Sequence, residues 1–371
     1  MTTDAAAKLP ESPTPVTSAP QTSTPKTSTP QTSTPQTSTP QASTLDPRLH
    51  DARLAEPGLY QVGGTELRRL ERLVPDGHAD VYVKCEFRNP TGSHKDRVFL
   101  HMIDVLEAEG RIRPGMTLID CSTGNGGAAL AAAGRARGYQ VVVVMPEGMT
   151  TERLDQITAL GATIVQTPPD GFLDASEAYA RRFTEEHAGS YYLDQSANVL
   201  NRSAWRACGA EIVEYFDARQ ITVDAFVCSI GTGGTFSGIA EVLKERFPQL
   251  RTVAIEVDRS APLYAKRHGV PFVHQTHNLM GLGPGKIALN LREDLVDEVR
   301  TVSGVEGWQT MRRLGEVEGL PAGPTAGGNV TAALDVARAL GPGRTVVTVL
   351  FDSAWKYRSI WDGHYAGYPD A

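Results

Sequence analysis

Cysteine is scarce in this chain, and Cys85, Cys121, Cys208 and Cys228 form no Cys-x-x-Cys pair. With no His or Cys beside them at ligand spacing, a zinc site is not indicated, and they read as buried, reduced thiols. The sequence also lacks any run near the roughly 18 apolar residues that a membrane span requires. Its N-terminus has neither the basic nor the apolar region of a secretory signal, so a cytoplasmic location is the expectation. The net charge is -7, and Lys and Arg are scattered. That excludes the basic stripe by which nucleic acid or an anionic membrane is bound.

What remains is a composition 40% hydrophobic and 21% charged, that of a soluble globular protein. Its 371 residues suggest two domains, at roughly 100–200 residues each. Residues 1–45 are a different material: from Gln21 to Ala42 the unit T-S-T-P-Q, once with Lys26, recurs every five residues. Such a tract has nothing to bury against its ordering entropy, so a disordered, partly polyproline-II tail is expected. A wall-spanning or glycosylated stalk is the sharper alternative.

Beyond the tail, β-branched apolar runs alternate with helical stretches. Strands are predicted at 81–85, 117–121, 141–145, 163–166, 225–229, 252–257, 298–302 and 345–350. Helices are predicted at 95–109, 126–137, 151–160, 175–186, 237–246, 305–318 and 328–340. The fold class is therefore α/β, with mostly parallel sheets covered by helices. Two α/β domains are expected: a smaller one over residues 86–194, and a larger one built from 46–85 plus 195–371. In such sheets ligands gather at the carboxyl ends of strands, so the strand-to-helix turns are where chemistry is sought.

Four turns stand out. Asn89-Pro90-Thr91-Gly92-Ser93-His94-Lys95 sets Lys95 at a helix start, where a cation opposes the helix dipole. A desolvated lysine there can attack a carbonyl, although taken alone the residue reads as a surface lysine before a catalytic one. Ser122-Thr123-Gly124-Asn125-Gly126 follows an apolar strand and offers hydroxyls, an amide and helix N–H groups to an anion such as a carboxylate. Tight-turn capping is its bland reading. Gly231-Thr232-Gly233-Gly234-Thr235 has the make-up of a phosphate cradle. It lacks the Gly-Lys-Ser/Thr ending of a nucleotide loop and the spacing of a dinucleotide loop, so a small phosphorylated cofactor suits it better. Gly323-Pro324-Thr325-Ala326-Gly327 places Thr325 where it can bond a ring nitrogen or cap the helix.

Taken in order, these turns resemble the fold-type II pyridoxal-phosphate enzymes, and within them the cysteine synthase and cystathionine β-synthase group. Asn89 to Arg97 matches N-P-T-G-S-x-K-D-R, Ser122 to Gly127 matches T-S-G-N-T-G, and Gly231 to Thr235 is G-T-G-G-T unchanged. Met145-Pro146-Glu147 matches M-P-E, Gly323 to Gly327 stands at G-I-S-S-G, and Phe351-Asp352-Ser353 resembles P-D-S. The resemblance implies the tryptophan synthase β-like fold, pyridoxal 5'-phosphate as cofactor, and a homodimer. It implies Lys95 as the catalytic Schiff-base lysine and base for the α-proton. Asn125 would face the cofactor's ring hydroxyl, Gly231, Thr232, Gly233, Gly234 and Thr235 its phosphate, and Thr325 its pyridine nitrogen. Ser122, Thr123, Gly124, Gly126 and Gln195 would bind the substrate.

The implied partners are a small amino acid and a small nucleophile. The implied reaction is β-replacement on an O-activated L-serine by way of an α-aminoacrylate, giving L-cysteine or another β-substituted alanine. β-Elimination is the alternative, and a catalytically idle cofactor-binding protein the third. Departures fall around the substrate: Gly126 stands for a threonine, which removes a hydroxyl and is expected to open space, and Ser196 stands for an aromatic residue.

Overall fold

Two sheets of all but wholly parallel strands carry the chain, and the reason is visible in the strands themselves. Thr345–Val349 (β10) and Ala225–Ser229 (β7) are buried along their whole length, as strands covered by helices on both faces must be. The computed structural model describes residues 61–169 and 172–361; the repeat tract expected to be disordered lies outside the described residues. The remaining strands are Leu67–Arg69 (β1), Asp80–Lys84 (β2), Thr117–Cys121 (β3), Gln140–Pro146 (β4), Thr163–Thr167 (β5), Ser190–Tyr192 (β6), Arg251–Val257 (β8) and Glu298–Val302 (β9). One sheet has the order β1-β2-β10-β7-β8-β9 and the other β5-β4-β3-β6. Only β1 with β2 runs antiparallel, Leu67 opposite Lys84. The α/β class and the largely parallel pairing are as the sequence predicts.

The helices are Lys95–Ala108 (α1), Asn125–Ala136 (α2), Thr151–Ala159 (α3), Phe172–Glu186 (α4), Leu200–Ala204 (α5), Arg206–Asp217 (α6), Gly234–Arg246 (α7), Pro262–His268 (α8), Gly304–Glu318 (α9) and Pro324–Leu340 (α10). Several begin earlier than their composition suggests. Helix α7 starts at Gly234 rather than at 237, and α10 at Pro324 rather than at 328. Gly and Pro are poor interior formers but acceptable in a first turn, whose N–H groups have no partner within the helix. Those early starts put free amides at the carboxyl ends of the strands.

A buried charge cluster ties the start of the described chain to this frame. Arg97, on α1, meets Glu86 through Nε at 2.7 Å and Nη2 at 2.9 Å. It meets Glu211, on α6, at 2.8 and 2.7 Å. Lys84 reaches Glu211 at 2.7 Å and also bonds the Thr65 carbonyl. Glu211 in turn accepts from the Gly64 amide, and Asn89 Oδ1 from Gly63. Charges this deep are tolerated only when each is paired and hydrogen-bonded. The pairing here holds the residues before α1 in one arrangement.

The four cysteines are free and buried, and burial pushes Cys85 up to about 12. No group of three or more potential metal ligands lies among the described residues. No described helix is long and apolar enough to cross a membrane.

Candidate active site

The carboxyl ends of β3 and β7, one from each sheet, open on a common cavity of about 260 Å³. Asp96 shapes its first wall by bending the chain ahead of α1. Its carboxylate accepts from Thr91 N and Thr91 Oγ1, both at 2.8 Å. Lys95 thereby begins the helix with its side chain on the cavity. Burial, partly opposed by Asp120, pulls its amine down to about 8, within reach of neutrality near physiological pH. Lys95 Nζ donates to Gln195 Oε1 at 3.0 Å.

The loop after β3 supplies the next wall. Ser122 Oγ accepts from Gly124 N at 3.0 Å, and Gly124 has φ of 144°, a conformation only glycine takes readily. Ser122, Thr123, Asn125 and Gly126 line the cavity, whereas Gly124 faces the Arg153 side chain behind it. Asn125 Nδ2 donates to Asp352 Oδ2 at 2.7 Å, while its Oδ1 is buried without a partner. Asp352 also accepts from Tyr357 at 2.7 Å, and Arg153 bonds that same hydroxyl and the Thr123 carbonyl. Asp352 and Arg153 are components that the reading of the motifs leaves without a role. Only their places in matching motifs could have pointed to them.

Opposite lies the glycine loop after β7. Gly231, Thr232, Gly233 and Thr235 line the cavity; Gly234 instead abuts Asn201. A Cβ on Gly231 would stand 2.7 Å from Gly281 O, and one on Gly233 2.6 Å from Leu291 N. Here two backbones approach so closely that side chains cannot fit. Thr325 Oγ1 donates to Met280 O at 3.2 Å, so its one proton is engaged with the backbone while its lone pairs remain. Residues 269–292, between α8 and a short turn at Glu293–Leu295, have no regular structure, and the stretch from Met280 to Leu289 lines the cavity. Lys286 fastens this segment to α4, bonding Asp174 at 2.8 Å and Glu177 at 3.4 Å. The alternating glycines Gly281, Gly283 and Gly285 marked an irregular segment but not its place on the cavity.

The cavity thus joins an enclosed amine, a helix start lined by glycines and threonines, and buried polar atoms without partners. The sequence profile described as pyridoxal-phosphate dependent enzyme matches residues 59–352. The chain belongs to that family. It is 38% identical over 299 residues to a cysteine synthase of Staphylococcus aureus (strain MW2), covering 80% of this chain and 94% of the relative. A probable cysteine synthase of Bacillus subtilis (strain 168) is 38% identical over 303 residues, covering 81% and 96%. Among solved structures, O-ureido-L-serine synthase superposes with a TM-score of 0.75 at 34% identity, over 82% of this chain and 93% of that one. O-Acetylserine dependent cystathionine beta-synthase from Helicobacter pylori gives 0.74 at 30%, over 80% and 95%.

The residues fit the family's cofactor. Ser229 Oγ and Asn125 Oδ1 are buried without partners and both residues line the cavity, where a bound group would satisfy them. The start of α7 presents amides and a positive dipole end to a phosphate. Gly233→Ala would put a methyl 2.6 Å from Leu291 N at a φ of 83°. Affinity for pyridoxal phosphate is expected to fall by about fivefold to a hundredfold or more, from strain of about 1–3 kcal/mol. An absorbance titration of the stripped chain measures this.

Proposed function

We propose that this pyridoxal-phosphate enzyme binds its cofactor on Lys95 and replaces the β-substituent of an O-activated L-serine with a small nucleophile. The product is L-cysteine or another β-substituted alanine. The observation that carries this reading is one cavity facing both an enclosed lysine amine and the glycine-lined start of α7. The activities of the relatives support it: cysteine synthases in sequence, and O-ureido-L-serine synthase and an O-acetylserine dependent cystathionine beta-synthase in structure. When bound, the cofactor supplies an electron sink beside the substrate's α-carbon.

The protein's own share follows from the geometry. Lys95, with its amine near 8, is suited to take a proton from the α-carbon. The amides of Gly231 to Thr235 hold the phosphate, and the orphan Asn125 oxygen receives the ring hydroxyl. Ser122, Thr123 and the loop amides meet the substrate carboxylate. Thr325 offers the ring nitrogen a neutral partner; to donate to an unprotonated nitrogen its hydroxyl proton turns away from the Met280 carbonyl. Met280, Leu282 and Phe351 wall the cavity with apolar surface against water. The same proposal takes the enzyme as a cytoplasmic homodimer, with the four-stranded and six-stranded sheets at the centres of the smaller and larger domains.

The test is spectral and chemical. O-Acetylserine added to the purified protein should change the visible cofactor absorbance. Sulfide, or another thiol or amine, should then restore the starting spectrum and release a β-substituted alanine. No spectral change with any O-activated serine contradicts the reading. Release of a keto acid without a nucleophile assigns the site to elimination instead.

A further inference from the structure

Gly126 does not leave space for substrate. A Cβ built there would stand 2.7 Å from Gln195 Nε2, 3.0 Å from Ser122 Oγ and 3.2 Å from the Phe99 ring. The place a threonine would take is filled by the Gln195 amide, contrary to the opening expected from the sequence. The direction of that amide follows from its partners. Nε2 donates to the Cys121 carbonyl at 2.7 Å, and a carbonyl can only accept. Oε1 must therefore face the other way, where it accepts from Lys95 Nζ at 3.0 Å.

The backbone fixes this pose further. Gln195 N donates to Asp120 Oδ2 at 3.2 Å, and Gln195 O accepts from Asn201 Nδ2 at 2.7 Å and Asn290 Nδ2 at 3.2 Å. Asp194, just before it, has φ of 55°, a conformation that a non-glycine residue keeps when its surroundings impose it.

We propose that Gln195 is a positioning residue for Lys95, its side-chain carbonyl receiving the ammonium whenever the lysine is not joined to the cofactor. Gly126 is glycine because that amide needs the room. The proposal rests on Lys95 being the cofactor's lysine. The proton taken from substrate then rests on Nζ, held by Gln195 Oε1. Hydrogen bonds from an ion exceed those from the neutral amine, so this contact favours the charged lysine against its burial. The other titratable groups facing Lys95 are Asp120 on β3 and its chain neighbour His94. Burial pushes Asp120 up to about 8 and holds His94 well below its ordinary value.

The experiment strips the full-length chain of cofactor and reloads it with pyridoxal phosphate across a pH series, following growth of the lysine-bound absorbance. Attachment needs the neutral amine, so the wild-type rate should rise to a plateau with its midpoint near the lysine's value of about 8. Gln195→Leu removes the acceptor; a midpoint lowered by about one unit raises the rate at pH 7 about fivefold. Gly126→Ala should act in the same direction, and the double variant should go no further than Gln195→Leu alone. Gln195→Met, of similar length and without a carbonyl, should lower the midpoint as leucine does and keeps the test readable if leucine disturbs the fold. A midpoint indifferent to Gln195, or shifts that simply add, overturns the proposal alone. Failure of the wild type to attach the cofactor at any pH overturns the Lys95 reading as well.

Discussion

Lys95→Ala is expected to abolish the lysine-bound cofactor absorbance and to lower turnover by at least about three orders of magnitude. The loss should be specific to the amine, because phosphate and ring contacts come from other loops. The variant should therefore still take up pyridoxal phosphate non-covalently through the start of α7. Its spectrum after dialysis, beside its rate with O-acetylserine and sulfide, measures both. Lys356 is the informative comparison. Burial also lowers its amine to about 8, yet Nζ is spent on Gln156 at 2.6 Å and does not line the cavity. A depressed lysine is thus not sufficient; it must also face the helix start. Turnover within about tenfold of wild type in the Lys95 variant would contradict the assignment.

The largest stability effect is expected at Arg97. Arg97→Leu removes both bonds to Glu86, which is fully buried, and strands a carboxylate there. Leaving one partner of such a pair unpaired costs about 3–5 kcal/mol, a loss that a urea unfolding midpoint reads directly. A pH signature should accompany it. Burial pushes the Glu211 carboxyl up, but bonds from Arg97, Lys84 and the Gly64 amide outweigh it and hold it at about 2. A carboxyl depressed in the fold contributes stability above its unfolded value of about 4.3, lost as pH falls toward the folded value. Wild-type stability should therefore decline between about pH 4 and pH 2, and the variant's curve should be shallower. An unchanged midpoint would mean that Glu86 finds another partner.

How much of this was legible in the sequence depended on what each element buries. β3, β7 and β9 fall on their predicted residues: β3 and β7 are short, mostly apolar runs bounded by turn residues, and in β9 Val299, Thr301 and Val302 give the β-branched signal. β1 and β6, three residues each at sheet edges, carry no such signal. Helix α6 was missed although Cys208, Ile212 and Phe216 repeat at four-residue spacing and are buried; that periodicity was there to be read. The motif residues that gather at the cavity were visible because turn chemistry is local. Contacts between loops distant in sequence were not. Asn125 with Asp352 and Arg153 with Tyr357 depend on how two sheets meet, and Gln195 in the space beside Gly126 depends on the pairing of β3 with β6. The substitution at Gly126 therefore looked like a vacancy when it is an accommodation.

The most direct measurement is reduction of the cofactor-loaded protein with borohydride, followed by peptide mapping of the resulting stable link by mass spectrometry. One equivalent of cofactor on Lys95 is the predicted result. Label on Lys356 or another lysine, or no label at all, would contradict the account.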